Sequence, residues 1–123
     1  MPKITVQDFD HIIKTELPWA NDIGMRAESL GPSTAVLRLP FNDNMLRPGG
    51  TVSGPTMMAL ADACMYAVVL SAIGPVKLAV TTSFNINFLH RPAPGDLLCK
   101  GRILKLGKRL AVMDVTLHSE GHE

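Results

Sequence analysis

The sequence predicts a single α+β domain in which a curved antiparallel sheet wraps one long central helix, and three observations carry that reading. Thr56 to Ile73 holds Asp62 as its only charged residue and is closed by Gly74-Pro75, the pattern of a helix that is apolar nearly all round. Leu78, Val80, Thr82, Phe84, Ile86 and Phe88 alternate with Lys77, Ala79, Thr81, Ser83, Asn85 and Asn87, the period of two expected of a strand with one covered face. The chain has 123 residues, 46% of them hydrophobic, which is a common size for one folding unit and too little for two.

The remaining elements follow in order. Phe9, Ile12, Ile13 and Leu17 recur at helical spacing, and Pro18 is where such a helix stops. Ile23 to Leu30 and Thr34 to Leu39 are extended segments on either side of Gly31-Pro32, so they read as a hairpin. Pro40 to Gly50, with Asn42, Asp43, Asn44, Pro48, Gly49 and Gly50, has the composition of an irregular loop. After the strand at Leu78 to Phe88 come a turn at Pro92 to Asp96, a strand from Leu97 to Leu106, a turn at Gly107-Lys108 and a strand from Leu110 to His118, which together read as a meander. The alternation slips near Gly101 and again at Val112 to Met113, so bulges are expected there.

Composition excludes several classes of function. A formal net charge of +1 gives no global attraction to nucleic acid or to an anionic membrane. Cys64 and Cys99 lack Cys-x-x-Cys spacing, which suits free thiols in a reducing cytosolic compartment and neither a disulfide framework nor a zinc site. Met1 to Asp10 mixes Lys3, Gln7, Asp8 and Asp10 among its apolar residues, so it lacks the unbroken apolar run of a signal peptide. The apolar helix is a poor membrane span, because Asp62 would sit near the hydrocarbon centre at a cost of about 3 kcal/mol with no second span to pair it. The expected place for it is the centre of a domain, covered on most sides by protein.

Three stretches in order carry a family resemblance. Gly50-Thr-Val-Ser-Gly-Pro-Thr-Met-Met-Ala-Leu-Ala-Asp62, Val80-Thr-Thr-Ser-Phe-Asn-Ile-Asn-Phe-Leu-His-Arg-Pro-Ala-Pro-Gly95 and Gly101-Arg-Ile-Leu-Lys-Leu-Gly-Lys-Arg109 resemble the hotdog-fold acyl-CoA thioesterases of the phenylacetate-degradation type, over most of Asp43 to Gly121. The resemblance implies a hotdog fold, hydrolysis of an acyl-CoA without cofactor or metal, and a homodimer or homotetramer with its site at the subunit interface. The family's His-Gly-Gly triplet falls on Ser53-Gly54-Pro55, so two of its three residues differ. Its catalytic carboxylate falls on Asp62, and its frequent Asn or Gln falls on Arg47. A further closing strand of the family would lie beyond Glu123.

Those residues define an expected site. Thioester hydrolysis needs a base or nucleophile beside the carbonyl carbon and a donor where charge develops on oxygen. Asp62 suits the first role and the Gly54 N–H, at a helix start, the second. They are eight residues apart, about 12 Å along a helix, so the resemblance implies that Gly54 of one subunit faces Asp62 of the other. Ser53 fits a helix N-cap beside the substrate better than a nucleophile, because no His is near it in sequence. Tyr66, one turn beyond Asp62, would hydrogen-bond the carboxylate, line the acyl pocket or pack in the core. Met57, Met58 and Met65 are either a pliable pocket lining or core.

Lys100, Arg102, Lys105, Lys108 and Arg109 form the one basic cluster. With Arg91 it would hold the phosphates of coenzyme A, or else it is a solvated hairpin whose charges discourage edge pairing. No aromatic residue interleaves with it, which disfavours single-stranded nucleic acid. The resemblance adds Arg47, Ser53 and Thr82 to the substrate-binding candidates, beside Tyr66, Arg91, Lys108 and Arg109. His11, His90, His118 and His122 are scattered, so no metal site is expected. Two alternatives stand beside hydrolysis: a protein that binds an acyl-CoA or a hydrophobic metabolite without turnover, and a hotdog dehydratase. The absence of any His between Asn42 and Leu89 counts against the dehydratase. The acyl group is not fixed by the sequence, which suits an aliphatic chain or a small aryl ring.

Overall fold

The computed structural model of the chain describes residues 2–41, 46–47, 51–52, 54–74, 95–107 and 110–120, the two short pairs by backbone alone. Helix α1 spans Val6–Glu16. The Asp8 N–H donates to Thr5 Oγ1 at 3.0 Å and the Thr5 N–H donates to the Asp8 carboxylate at 2.9 Å, a reciprocal cap that satisfies donors left over at a helix start. Phe9 and Ile13 turn inward from it. Pro18 ends α1 as expected, but it also opens a short helix α2, Pro18–Asp22, because the fixed φ of proline suits the first helical position. Since Ile23 caps α2, the first strand begins later than the sequence implied.

That strand, β1 (Arg26–Leu30), forms the expected antiparallel hairpin with β2 (Thr34–Leu39). Within the segment read as irregular, β3 (Leu46–Arg47) pairs with β4 (Thr51–Val52); strands of two residues are too short to show a period. Helix α3 follows, Gly54–Ile73. It ends where Gly74 takes φ +92°, a left-handed conformation that glycine reaches without a Cβ clash. Strands β5 (Leu97–Leu106) and β6 (Ala111–Ser119) complete a sheet of order β1-β2-β5-β6, antiparallel throughout.

The hairpin of β5 and β6 is the one the alternation predicted. The other edge of β5 is taken over Leu97–Arg102 by β2, so the arrangement around β5 is not a purely sequential meander; local patterning does not say which distant strand becomes a neighbour. The strand expected at Leu78 to Phe88 lies outside the described residues.

Ala35, Leu37, Leu39, Leu97 and Cys99 line the inner face of this sheet, and Leu60, Cys64, Val68 and Ser71 of α3 are buried without residual exposure. Helix and sheet approach closely at Gly101, where an added Cβ would stand 2.9 Å from Val68 Cγ2 and 3.0 Å from Cys64 Sγ. Gly101 is therefore not at a bulge. It pairs in register with Ala35 and Val115, and its lack of a side chain makes room for α3. The register slips instead between Ile103 and Lys105, opposite Met113 and Val112, which is where the second break in alternation had pointed. A further slip lies between Ala27 and Ser29, and the Ala27 N–H beside it donates to the Asp10 carboxylate of α1 at 3.1 Å.

Gly101→Ala is expected to destabilise the fold by about 1–3 kcal/mol through overpacking, measured by urea unfolding. Adding Cys64→Ala removes one of the two atoms the new methyl meets, so the double variant should lose less than the sum of the single losses. Simple additivity would show that the contact is not the cause.

Candidate active site

Helix α3 is long and apolar enough to cross a membrane by length and composition, but half of it is buried within the domain, as in a core helix. At about 100° per residue its buried residues, among them Leu60, Ala63, Cys64, Ala67, Val68 and Leu70, occupy one continuous sector. The opposite stripe is exposed or half-buried and runs through Pro55, Met58, Asp62, Met65, Val69 and Ile73. Among the described elements the sheet and α1 pack against the buried sector, and the opposite stripe keeps its exposure in the single chain. Asp62 lies in the middle of the uncovered stripe, flanked by apolar residues.

Gly54 is the first residue of α3 and is half-buried. The first N–H groups of a helix find no carbonyl within it, and the helix dipole favours an anion there. Eight residues place Gly54 about 12 Å along the axis from Asp62, so one substrate atom does not touch both within one chain. Met57 is buried as core, Met58 is exposed and Met65 half-buried. Tyr66 packs its ring against Phe9 of α1, centroids 6.5 Å apart and planes tilted by 53°.

Of the other expected site residues, Ser53, Thr82, Arg91, Lys108 and Arg109 lie outside the described residues. For Arg47 the backbone alone is described, in β3 opposite Thr51. Lys100 and Arg102 alternate with the buried Cys99 and Gly101, so they point to the outer face of the sheet, away from α3. There they border an open groove with Thr34, Val36, Asp114 and Thr116, and Arg102 approaches Asp114 at 3.4 Å.

Sequence reasoning missed the best-formed charge network. Arg38 of β2, with a side chain 14% exposed, contacts Glu28 of β1, Asp96 just before β5 at 2.8 Å, and Glu120 just after β6. Asp96 also accepts the Phe41 N–H at 2.7 Å, which fixes the chain where it leaves β2. No local pattern joins residues so distant in sequence. The Phe41 N–H, and after it the Arg38 guanidinium, hold the Asp96 carboxyl below the usual carboxylate range; Arg38 does the same for Glu120.

The two cysteines are buried free thiols. Cys64 Sγ lies 3.5 Å from the Cys99 carbonyl oxygen, and burial pushes the Cys99 thiol up, the opposite of what a nucleophilic cysteine needs. Among the described residues no group of three or more His, Cys, Asp or Glu is placed to hold a metal ion.

Comparison with known proteins bears on this arrangement. Residues 49–123 match the model of the thioesterase superfamily. A protein of Saccharolobus solfataricus named as a candidate esterase is 31% identical over 118 residues, 95% of this chain and 77% of that one. The crystal structure of a candidate thioesterase from Silicibacter sp. TM1040 superposes with a TM-score of 0.89 at 40% identity, covering 100% of this chain and 85% of the other. The phenylacetic acid degradation protein PaaI of Thermus thermophilus, solved as a mutant, gives a TM-score of 0.74 at 26% identity, with 85% and 88% covered.

The Arg38 network predicts the acid limb of stability. The lowered carboxyl groups bind fewer protons in the folded chain than in the unfolded one, so their contribution is fully present above the ordinary carboxylate range of about 4 and is lost as pH falls through the lowered values. In thermal melts from about pH 7 to about pH 3, the wild type should lose more stability than Arg38→Met, in which the Arg38 part of this linkage is removed and the Phe41 N–H bond to Asp96 remains. Parallel pH profiles for the two proteins would contradict that assignment.

Proposed function

Because the chain belongs to the thioesterase superfamily and is a hotdog-fold thioester hydrolase, we propose that its substrate is an acyl-CoA, which it cleaves to the free acid and coenzyme A with the Asp62 carboxylate and the Gly54 N–H. One observation carries the proposal: the only charged side chain of α3 sits at the centre of the stripe that the rest of the chain leaves uncovered. Asp62 is exposed in the single chain, which supports its being within reach of a substrate seated on that stripe.

In this reading a second copy of the chain covers the stripe and brings its Gly54 to Asp62, as a homodimer alone or paired into a homotetramer. Asp62 either takes a proton from a water that adds to the thioester carbonyl, or adds to that carbonyl itself and is released by water afterwards. In both routes the carbonyl oxygen gains negative charge toward the Gly54 N–H, the C–S bond breaks, and the sulfur leaves as the thiolate of coenzyme A and takes up a proton. Pro55 removes the following N–H as a donor but leaves that of Gly54. Arg91, Lys108 and Arg109 are assigned to the coenzyme A phosphates, and Arg47, Ser53, Thr82 and Tyr66 to the substrate near the reacting carbon. Lys100 and Arg102 are not assigned, because they point to the opposite face of the sheet from α3.

The test is release of coenzyme A from a panel of aliphatic and aryl acyl-CoAs. Asp62→Asn should reduce kcat by about 10²- to 10⁴-fold, compared with the wild type at matched folding and oligomeric state. Retention of activity within tenfold, at matched folding, would remove Asp62 from the chemistry. Tight binding of acyl-CoA by a wild type that releases no coenzyme A would favour a binding protein in which Arg47, Ser53 and Pro55 mark the loss of turnover.

A further inference from the structure

Tyr66 follows Asp62 by one helical turn on the same face of α3 and is the only aromatic residue of that helix. The residues around it on neighbouring turns, Ala59, Ala63 and Met65, are small or flexible. Its half-buried ring rests on Phe9 at 6.5 Å, and Phe9 is fully buried in the same apolar cluster as Ile13 and Ala67. A rigid ring thus stands at the border between the open stripe and α1, backed by Phe9 and the apolar core.

Resting on the assignment of Asp62 and acyl-CoA made above, we infer that Tyr66, braced by Phe9, is the end wall of the acyl pocket and sets the acyl length, which makes α1 part of the specificity apparatus. Methionine and alanine yield or leave space; a tyrosine supported from behind does not. An acyl group whose carbonyl lies at Asp62 has one helical turn in which to extend before it meets the ring. Removal of the ring opens space lined by Phe9 and the core, and an apolar cavity of that kind stays dry and accepts alkyl groups.

The experiment is a ladder of acetyl-, butyryl-, hexanoyl-, octanoyl- and dodecanoyl-CoA, with kcat/KM measured for the wild type, Tyr66→Phe, Tyr66→Leu, Tyr66→Ala and Phe9→Leu. Each methylene that gains a buried position adds roughly fourfold, so Tyr66→Ala should raise the ratio of long-chain to short-chain kcat/KM by at least about tenfold. Tyr66→Leu should shift the ratio in the same direction by less, and so should Phe9→Leu, which lets the tyrosine lean back. Tyr66→Phe should keep the wild-type profile. An equal loss for every chain length in both the alanine and leucine variants assigns Tyr66 to packing and overturns the inference, as does a changed profile in Tyr66→Phe. A wild type that cleaves part of the ladder, with variants of unshifted profile, overturns this inference alone; a wild type that cleaves none of it overturns the acyl-CoA reading as well.

Discussion

The close contact of α3 with β5 at Gly101 fixes the rest of the arrangement. An apolar helix without a polar face does not choose by itself which side to bury. Here the choice is made where the sheet has no side chain: Val68 and Cys64 come within 2.9 and 3.0 Å of the place a Cβ would occupy on Gly101, closer than van der Waals contact allows. Cys64 is two residues from Asp62, about 200° around the helix, so seating Cys64 on the sheet turns Asp62 outward. The desolvation cost of burying a carboxylate in the apolar core acts in the same direction. A steric and an electrostatic constraint therefore agree on one rotation of the helix, and that rotation places the carboxylate on an otherwise apolar, uncovered stripe.

Much of this was legible because the relevant signals are local. The lone charge of α3, its Gly74 stop, the β1–β2 hairpin and the β5–β6 hairpin follow from periodicity and turn residues. The misses have physical reasons. Pro18 is both a stop for one helix and a favoured start for another, and the sequence shows only the stop. Gly101 was read as a bulge because glycine serves bulges and close approaches alike, and only the partner element distinguishes them. The pairing of β2 with β5 and the Arg38 network join residues spread from Glu28 to Glu120, which no window along the chain contains. For Lys100 and Arg102, compactness in sequence did not show the face they take: alternation with buried Cys99 and Gly101 turns both from α3.

In the proposed mechanism the same geometry calls for two chains. Gly54 and Asp62 share one helix and are separated along it by more than a reacting carbonyl can bridge, while the stripe between them is apolar and uncovered in a single chain. A two-fold axis beside α3 resolves both conditions together: it covers the stripe, and it brings the helix start of one copy toward the carboxylate of the other. Tyr66 then stands at the margin of the covered region with α1 behind it, joining the reacting carboxylate to the part of the fold that limits the acyl group.

The central claim is a site shared between subunits, and mixing two inactive variants tests it most directly. Asp62→Asn and Gly54→Pro, which removes the N–H at a helix position that tolerates proline, are each inactive alone in this account. When they are unfolded together, refolded and assayed, half of the random dimers are mixed and each of those holds one intact site, so about a quarter of wild-type activity should return. If both residues of a site belong to the same chain, the mixture stays as inactive as its parts, and that result would contradict the shared site.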